Sequence, residues 1–192
     1  LFARKKSLRL VSAWLVACQL GGFVAPALAN PRGGVVIGGS AVIDQTSASL
    51  TRITQQTDRA IINWQGFSNS AGETVRFQQP TSQAVALNRV VSGEPSVIAG
   101  SLQSNGHVFL INPSGVVFKP TATVDVGGIV ATTLQMKDDD FMRGQYKLEQ
   151  EAGKPHGAVV NQGRITAADK GKVALVAPLV SNEGLIRARS GQ

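Results

Sequence analysis

Val160-Asn161-Gln162-Gly163-Arg164-Ile165-Thr166-Ala167 is answered, 21 residues further on, by Ser181-Asn182-Glu183-Gly184-Leu185-Ile186-Arg187-Ala188. Asn, Gly, Ile and Ala each recur at that spacing, and Gly171-Lys172-Val173-Ala174-Leu175-Val176-Ala177 supplies a further strand between them. A period of this length with about three short strands fits one coil of a parallel β-helix, in which inward apolar side chains stack on the same positions of the next coil. A β-sandwich has no reason to repeat at a fixed period. In this reading Asn161 and Asn182 mark turns, and Gly163 and Gly184 mark positions where a side chain would clash.

The same texture extends back to Asn30. Short apolar runs such as Ala60-Ile61-Ile62-Asn63-Trp64, Thr74-Val75-Arg76-Phe77, His107-Val108-Phe109-Leu110-Ile111 and Val116-Val117-Phe118 are punctuated by Asn-Gly, Gly-Gly, Ser-Gly and Asn-Pro. They are rich in β-branched and aromatic residues, and no helical run of ten or more stands out among them. The expected fold is all-β, with about 21 residues per coil.

Before Asn30 the chain reads differently. Arg4-Lys5-Lys6 and Arg9 precede a largely apolar stretch, Leu10 to Val24, and Ala27-Leu28-Ala29 offers the small-x-small pattern that signal peptidase cuts. Residues 1–29 are expected to be a secretory signal peptide cleaved after Ala29, handed on by the inner-membrane export machinery. Gly21-Gly22 and Pro26 interrupt the run, which is short for a membrane anchor. A rival lipoprotein-type reading would lipidate Cys18, the one cysteine. The chain carries 19 basic and 12 acidic side chains, four of the basic ones in the signal, so residues 30–192 hold 15 against 12. The high isoelectric point therefore reports mostly the targeting segment, and a nucleic-acid partner is not expected. The chain begins at Leu1 rather than Met, and no polar cap is evident before Gln192. Since a bare terminal coil exposes apolar edges, continuation into a longer β-helical protein is expected.

Ile62-Asn63-Trp64-Gln65-Gly66-Phe67, Asn88-Arg89-Val90, Asn105-Gly106-His107-Val108-Phe109-Leu110-Ile111-Asn112-Pro113-Ser114-Gly115-Val116 and Gly127-Gly128-Ile129-Val130-Ala131-Thr132-Thr133-Leu134 follow one another in order. This series resembles the N-terminal secretion domain (haemagglutination-activity domain) of two-partner secretion exoproteins such as filamentous haemagglutinin-like and high-molecular-weight adhesins, over about residues 31–190. The resemblance implies a right-handed parallel β-helix with an N-terminal cap and small extra-helical strands. It implies a partner, an outer-membrane β-barrel transporter with periplasmic modules, and export through the periplasm to the surface or medium of a Gram-negative bacterium. Any host-cell or surface ligand would be met by a region beyond Gln192. The family's Asn-Pro-Asn-Gly turn appears here as Asn112-Pro113-Ser114-Gly115, which puts a role for the third side chain in question. A second Asn-Pro-Asn-Leu motif has no match.

Several residues are candidates for function. Asn112, Pro113, Ser114 and Gly115 would form a turn, acting as a fold-nucleating element or as a transporter contact. Asn88 and Arg89 could face the transporter, or Arg89 could be bonded locally. Asn63 and Trp64 are read as structural, with Trp64 an aromatic plug over the end of the core. Asp138-Asp139-Asp140 lacks the ligand spacing of a calcium loop and is expected to be a solvated loop, followed by an outlying hairpin over Phe141–Gln150 that turns at Arg143-Gly144. His107 and His156 lie far apart in sequence, no nucleophile motif is present, and neither metal nor cofactor is expected. The competing readings are a polysaccharide-cleaving β-helix enzyme, which needs clustered acids along one face, and a domain that is itself an adhesin.

Overall fold

The computed structural model describes residues 30–151 and 157–189. The signal-peptide expectation, including Ala27 and Ala29, and His156 fall outside these residues. The strands are β1 (Val35–Gly38), β2 (Ala41–Ser47), β3 (Leu50–Gln55), β4 (Arg59–Trp64), β5 (Thr74–Gln78), β6 (Val85–Val90), β7 (Ser96–Ile98), β8 (Ser101–Ser104) and β9 (His107–Ile111). They continue as β10 (Val116–Phe118), β11 (Thr123–Val126) and β12 (Gly128–Thr132), then a short helix α1 (Asp138–Met142), then β13 (Val159–Asn161), β14 (Arg164–Ala167), β15 (Val173–Val176), β16 (Val180–Asn182) and β17 (Leu185–Ala188).

These strands form three sheets, ordered β1-β4-β6-β9-β12-β15, β16-β13-β10-β7 and β17-β14-β11-β8-β5-β3-β2. From β3 onward every neighbouring pair is parallel, so the chain winds as a β-helix of about six turns. Only β1, against β4, and β2, against β3, run antiparallel, and they cap the N-terminal end. The expected all-β solenoid with a cap is what the chain forms. The 21-residue period holds between β14 and β17, where Arg164 pairs with Leu185. It loosens toward the cap: Arg59 pairs with Val85 and Thr74 with Ser101. The solenoid tolerates this variation because only the strand positions must stack, and extra residues enter at the corners.

Stacking explains the alternation of the sequence. Val75, Leu102, Val124, Ile165 and Ile186 occupy successive rungs of one column, and Ala86, Val108, Ile129 and Val173 another. The four innermost residues of the first column, and the first three of the second, are at most 1% exposed. Each rung adds apolar surface to the same continuous core, worth roughly 25 cal/mol per Å² removed from water. Glycines lie where backbones touch. A Cβ at Gly163 would stand 2.6 Å from the Lys119 carbonyl oxygen, and one at Gly127 would stand 2.6 Å from that of Gly106.

The segment after β12 departs from expectation. Asp138-Asp139-Asp140 starts α1 instead of a loop, and Gln135 bridges Glu149 antiparallel to close the excursion. The three carboxylates sit in the helix's first turn, where they complement its N-terminal dipole. Phe141 is fully buried, so the segment is not an outlying hairpin. It covers a second apolar cluster on the outer face of the first sheet, made of Ile61, Val85, Leu87, Phe109, Ile111 and Met136 with Phe141. That sheet is therefore apolar on both faces, as Ala60-Ile61-Ile62 and Phe109-Leu110-Ile111 already spell out in sequence. Gly144 closes the turn with φ +78°, and its N–H donates to Phe141 O.

Candidate functional site

The ordered motifs converge on one corner of the solenoid. Asn63, Arg89, Ile111 and Thr132 are register partners across β4, β6, β9 and β12, so Trp64, Val90 and Asn112 all lie where the chain leaves the first sheet. Asn161 and Asn182 stand at a different corner, after β13 and β16.

Asn112-Pro113-Ser114-Gly115 is a hydrogen-bonded turn. Gly115 N–H donates to Asn112 O at 3.0 Å, and Ser114 N–H donates to Asn112 Oδ1 at 2.9 Å. Gly115 takes φ +116°, a conformation that side chains disfavour. The Asn112 side chain is fully buried and points across the corner, its Nδ2 donating to Glu94 O at 3.0 Å and to Ser96 Oγ at 2.9 Å. Asn112 N–H reaches the Thr132 carbonyl of the next coil at 2.9 Å. One residue thus ties three successive levels together. Pro113 and Ser114 are the half-buried members that reach the surface, and Pro113 O accepts from Gly157 N–H at 2.7 Å.

Trp64 sits beneath the cap. Its indole Nε1 donates to Asn88 Oδ1 at 3.0 Å, both side chains being fully buried, and its ring meets Phe67 edge-on with centroids 5.5 Å apart. Gly34, next to β1, leaves room for the indole, since a Cβ there would collide with Trp64 and Ile43. Asn88 Nδ2 donates to Phe109 O at 3.3 Å, so its side chain lies inside the core. Asn63 is on the opposite, outer face, half-buried.

Arg89 faces the excursion. Its Nη2 donates to Met136 O at 2.7 Å and to Asp138 Oδ1 at 2.6 Å, with its side chain 14% exposed. Arg89 is thus bonded locally, and it pins α1 to β6. Arg89→Met is expected to lower stability by about 1–2 kcal/mol, because it strands a carbonyl and one partly exposed carboxylate. Limited proteolysis should then cut first between Gln135 and Glu149, while urea unfolding measures the loss.

At the other corner, Asn161 Nδ2 donates to Asn182 Oδ1 at 2.7 Å, and Gly163 N–H donates to Asn161 Oδ1 at 3.1 Å. The recurring Asn is a side-chain ladder as well as a turn residue. Among the described residues no group of three metal-ligating side chains occurs, and no helix is long and apolar enough to cross a membrane.

A family model described as the TPS secretion domain matches residues 27–190. This chain belongs to that family. A heme/hemopexin-binding protein of Haemophilus influenzae strain Rd is 34% identical to the TPS chain over 190 residues, covering 94% of it and 20% of the relative. Another H. influenzae protein of the same description is 40% identical over 99 residues, covering 52% and 11% respectively. The crystal structure of the H. influenzae HMW1 secretion domain superposes with a TM-score of 0.78 at 36% identity, covering 83% of this chain and 42% of that one. The chain thus spans about a tenth to a fifth of the curated relatives it matches. It is a secretion domain of the two-partner type, a targeting module by family.

Proposed function

We propose that residues 30–192 are the address read by a partner outer-membrane β-barrel transporter, and that residues 1–29 direct the earlier crossing of the inner membrane. The single observation that carries this reading is the match to a secretion-domain model over nearly the whole β-helix. Strands presented by the chain pair with edges of the transporter's periplasmic modules by β-augmentation. Outside the cell, each coil then stacks on the last and buries apolar surface, which opposes backsliding. A solenoid suits this, because its rungs contact only their neighbours and fold in series.

Among the described strands, β1 and β2 end their sheets at the capped side, with Val35 59%, Ile37 45% and Val42 54% exposed. Unpaired edges carrying apolar side chains are ready templates for a partner strand. Val35→Lys with Val42→Lys is expected to leave stability within about 0.5 kcal/mol. The same pair should reduce release of the exoprotein by about tenfold when it is co-expressed with its transporter, since it places charge on both edges. Release at the parental level would remove these edges from recognition. The partner modules should also retain the parental domain on a column.

The remainder of the exoprotein carries the final activity in this reading, as an adhesin or haemagglutinin. The heme/hemopexin-binding relatives make capture of haem or its carrier an alternative for that remainder. A cell-binding assay of residues 30–192 alone separates an adhesive secretion domain from an address that is only read.

A further inference from the structure

Beyond the transporter reading, we propose that the outer face of the first sheet holds a binding groove for an extended acidic peptide segment with apolar residues between its carboxylates. The groove, of about 1040 Å³, lies between the excursion and the turn before β15. Its floor is two parallel rows of side chains set by the strand register. One row is Arg59, Val85, His107, Gly128 and, next to Val173, Lys172; the neighbouring row contributes Phe109 and Val130, while its Ile61 and Leu87 lie buried beneath the excursion. Nitrogen donors therefore recur on every second strand, roughly 10 Å apart, with the cations Arg59 and Lys172 at the two ends and His107 between them. Gly128 carries no side chain, and a Cβ there would collide with the His107 imidazole, so the ring lies over that gap. Tyr146 forms a wall, 5.0 Å from the Phe109 ring and 41% exposed.

The charges in this groove lack partners. Arg59, Lys170 and Lys172 line it against one carboxylate, Asp169. None of the three cations makes an ion pair among the described residues, whereas Arg89, Arg143 and Lys147 all do. Arg59 Nε is buried with no hydrogen-bond acceptor. Burial, and then the charge of Lys172, hold the His107 imidazole below its ordinary range, which keeps it neutral and able to donate one N–H. Unpaired cationic side chains lining one groove favour oxygen ligands.

The spacing and the apolar row select the class of ligand. In a polyproline-II segment, side chains on one face recur every third residue, at about 9 Å, close to the interval between alternate strands. Carboxylates at that interval would meet Arg59, His107 and Lys172, while intervening apolar side chains pack on Phe109, Val130 and Tyr146. A sulfated glycan would satisfy the cations but leave the Phe109–Val130 row without an apolar counterpart.

The test uses a short fluorescein-labelled peptide with glutamate at every third position and leucine or phenylalanine between, read by anisotropy against the full chain. The expected result is saturable binding that weakens with salt, is absent for the glutamine counterpart, and falls about tenfold in Arg59→Gln plus Lys172→Gln. Circular dichroism melts confirm that the double variant is folded, and Arg164→Gln, on β14 of another sheet, serves as the unaffected control. Equal binding of the glutamine peptide, indifference to the double variant, or binding of a sulfated oligosaccharide but not the peptide would each overturn the proposal. Secretion by the transporter is not part of the readout, so the two readings fail separately.

Discussion

Trp64→Ala should be the most damaging single substitution in the domain. The indole is fully buried beneath the cap, in contact with Phe67 and with Asn88 as its only hydrogen-bond acceptor. Truncating a buried Trp to Ala removes about 3–5 kcal/mol through lost transfer energy and the cavity left behind. It also leaves the Asn88 amide oxygen buried without its donor, which adds about 1–3 kcal/mol. Against a domain stability of about 5–15 kcal/mol, the expected outcome is a chain largely unfolded at 37 °C. Urea titration followed by circular dichroism measures it. Trp64→Phe separates the two contributions: it keeps most of the ring volume and loses the N–H, so about 1–3 kcal/mol should disappear. Adding Asn88→Leu to Trp64→Phe should recover only part of that loss, because it removes the stranded amide oxygen but also the donor to Phe109 O. A Trp64→Ala chain that melts like the parent would show that the cap end carries little of the fold's stability.

Asn112→Ala should have the second largest effect. Its side chain donates to Glu94 O and Ser96 Oγ and accepts from Ser114 N–H, all from a fully buried position. At about 1 kcal/mol for each bond, with the buried Ser96 hydroxyl losing its donor, the loss is about 2–4 kcal/mol. Pro113→Ala should cost less than about 1 kcal/mol, since it mainly loosens the unfolded chain. Ser114→Asn should be near neutral, because Ser114 is only half-buried and its backbone, not its hydroxyl, makes the turn bond. The same three variants discriminate the two roles of the turn. If the motif acts through folding, export follows stability, and Asn112→Ala is the sole strong defect. If a transporter reads the surface of the turn, Pro113→Ala lowers export without lowering stability. Normal release of every variant would remove the motif from secretion.

Arg59, His107 and Lys172 were not legible as a group in the sequence. They are separated by irregular coil lengths, and the excursion lies between β12 and β15. Only the register of the first sheet puts them in one row. The same cause hid the partner of Arg89: Asp138 lies 49 residues away and reaches it because α1 folds back over β6. Charge pattern alone makes the acidic triplet a solvated loop; the apolar face beneath it makes it the first turn of a helix. Phe141 anchors that face, and its burial decides the local structure.

The solenoid is written in the repeat. A repeat of Asn, Gly, Ile and Ala, with β-branched runs between, can satisfy its stacking only in a coil that sets like residues on like. The turn at Asn112 and the burial of Trp64 are equally legible there, because turn chemistry and aromatic burial act through a few adjacent residues. Contacts between coils set the helix over the first sheet, the inward aim of Asn88 and Asn112, the free edges of the cap, and the row of Arg59, His107 and Lys172. These depend on which coil lies beside which. That is fixed by pairing distances of 20 to 44 residues, not by any local pattern.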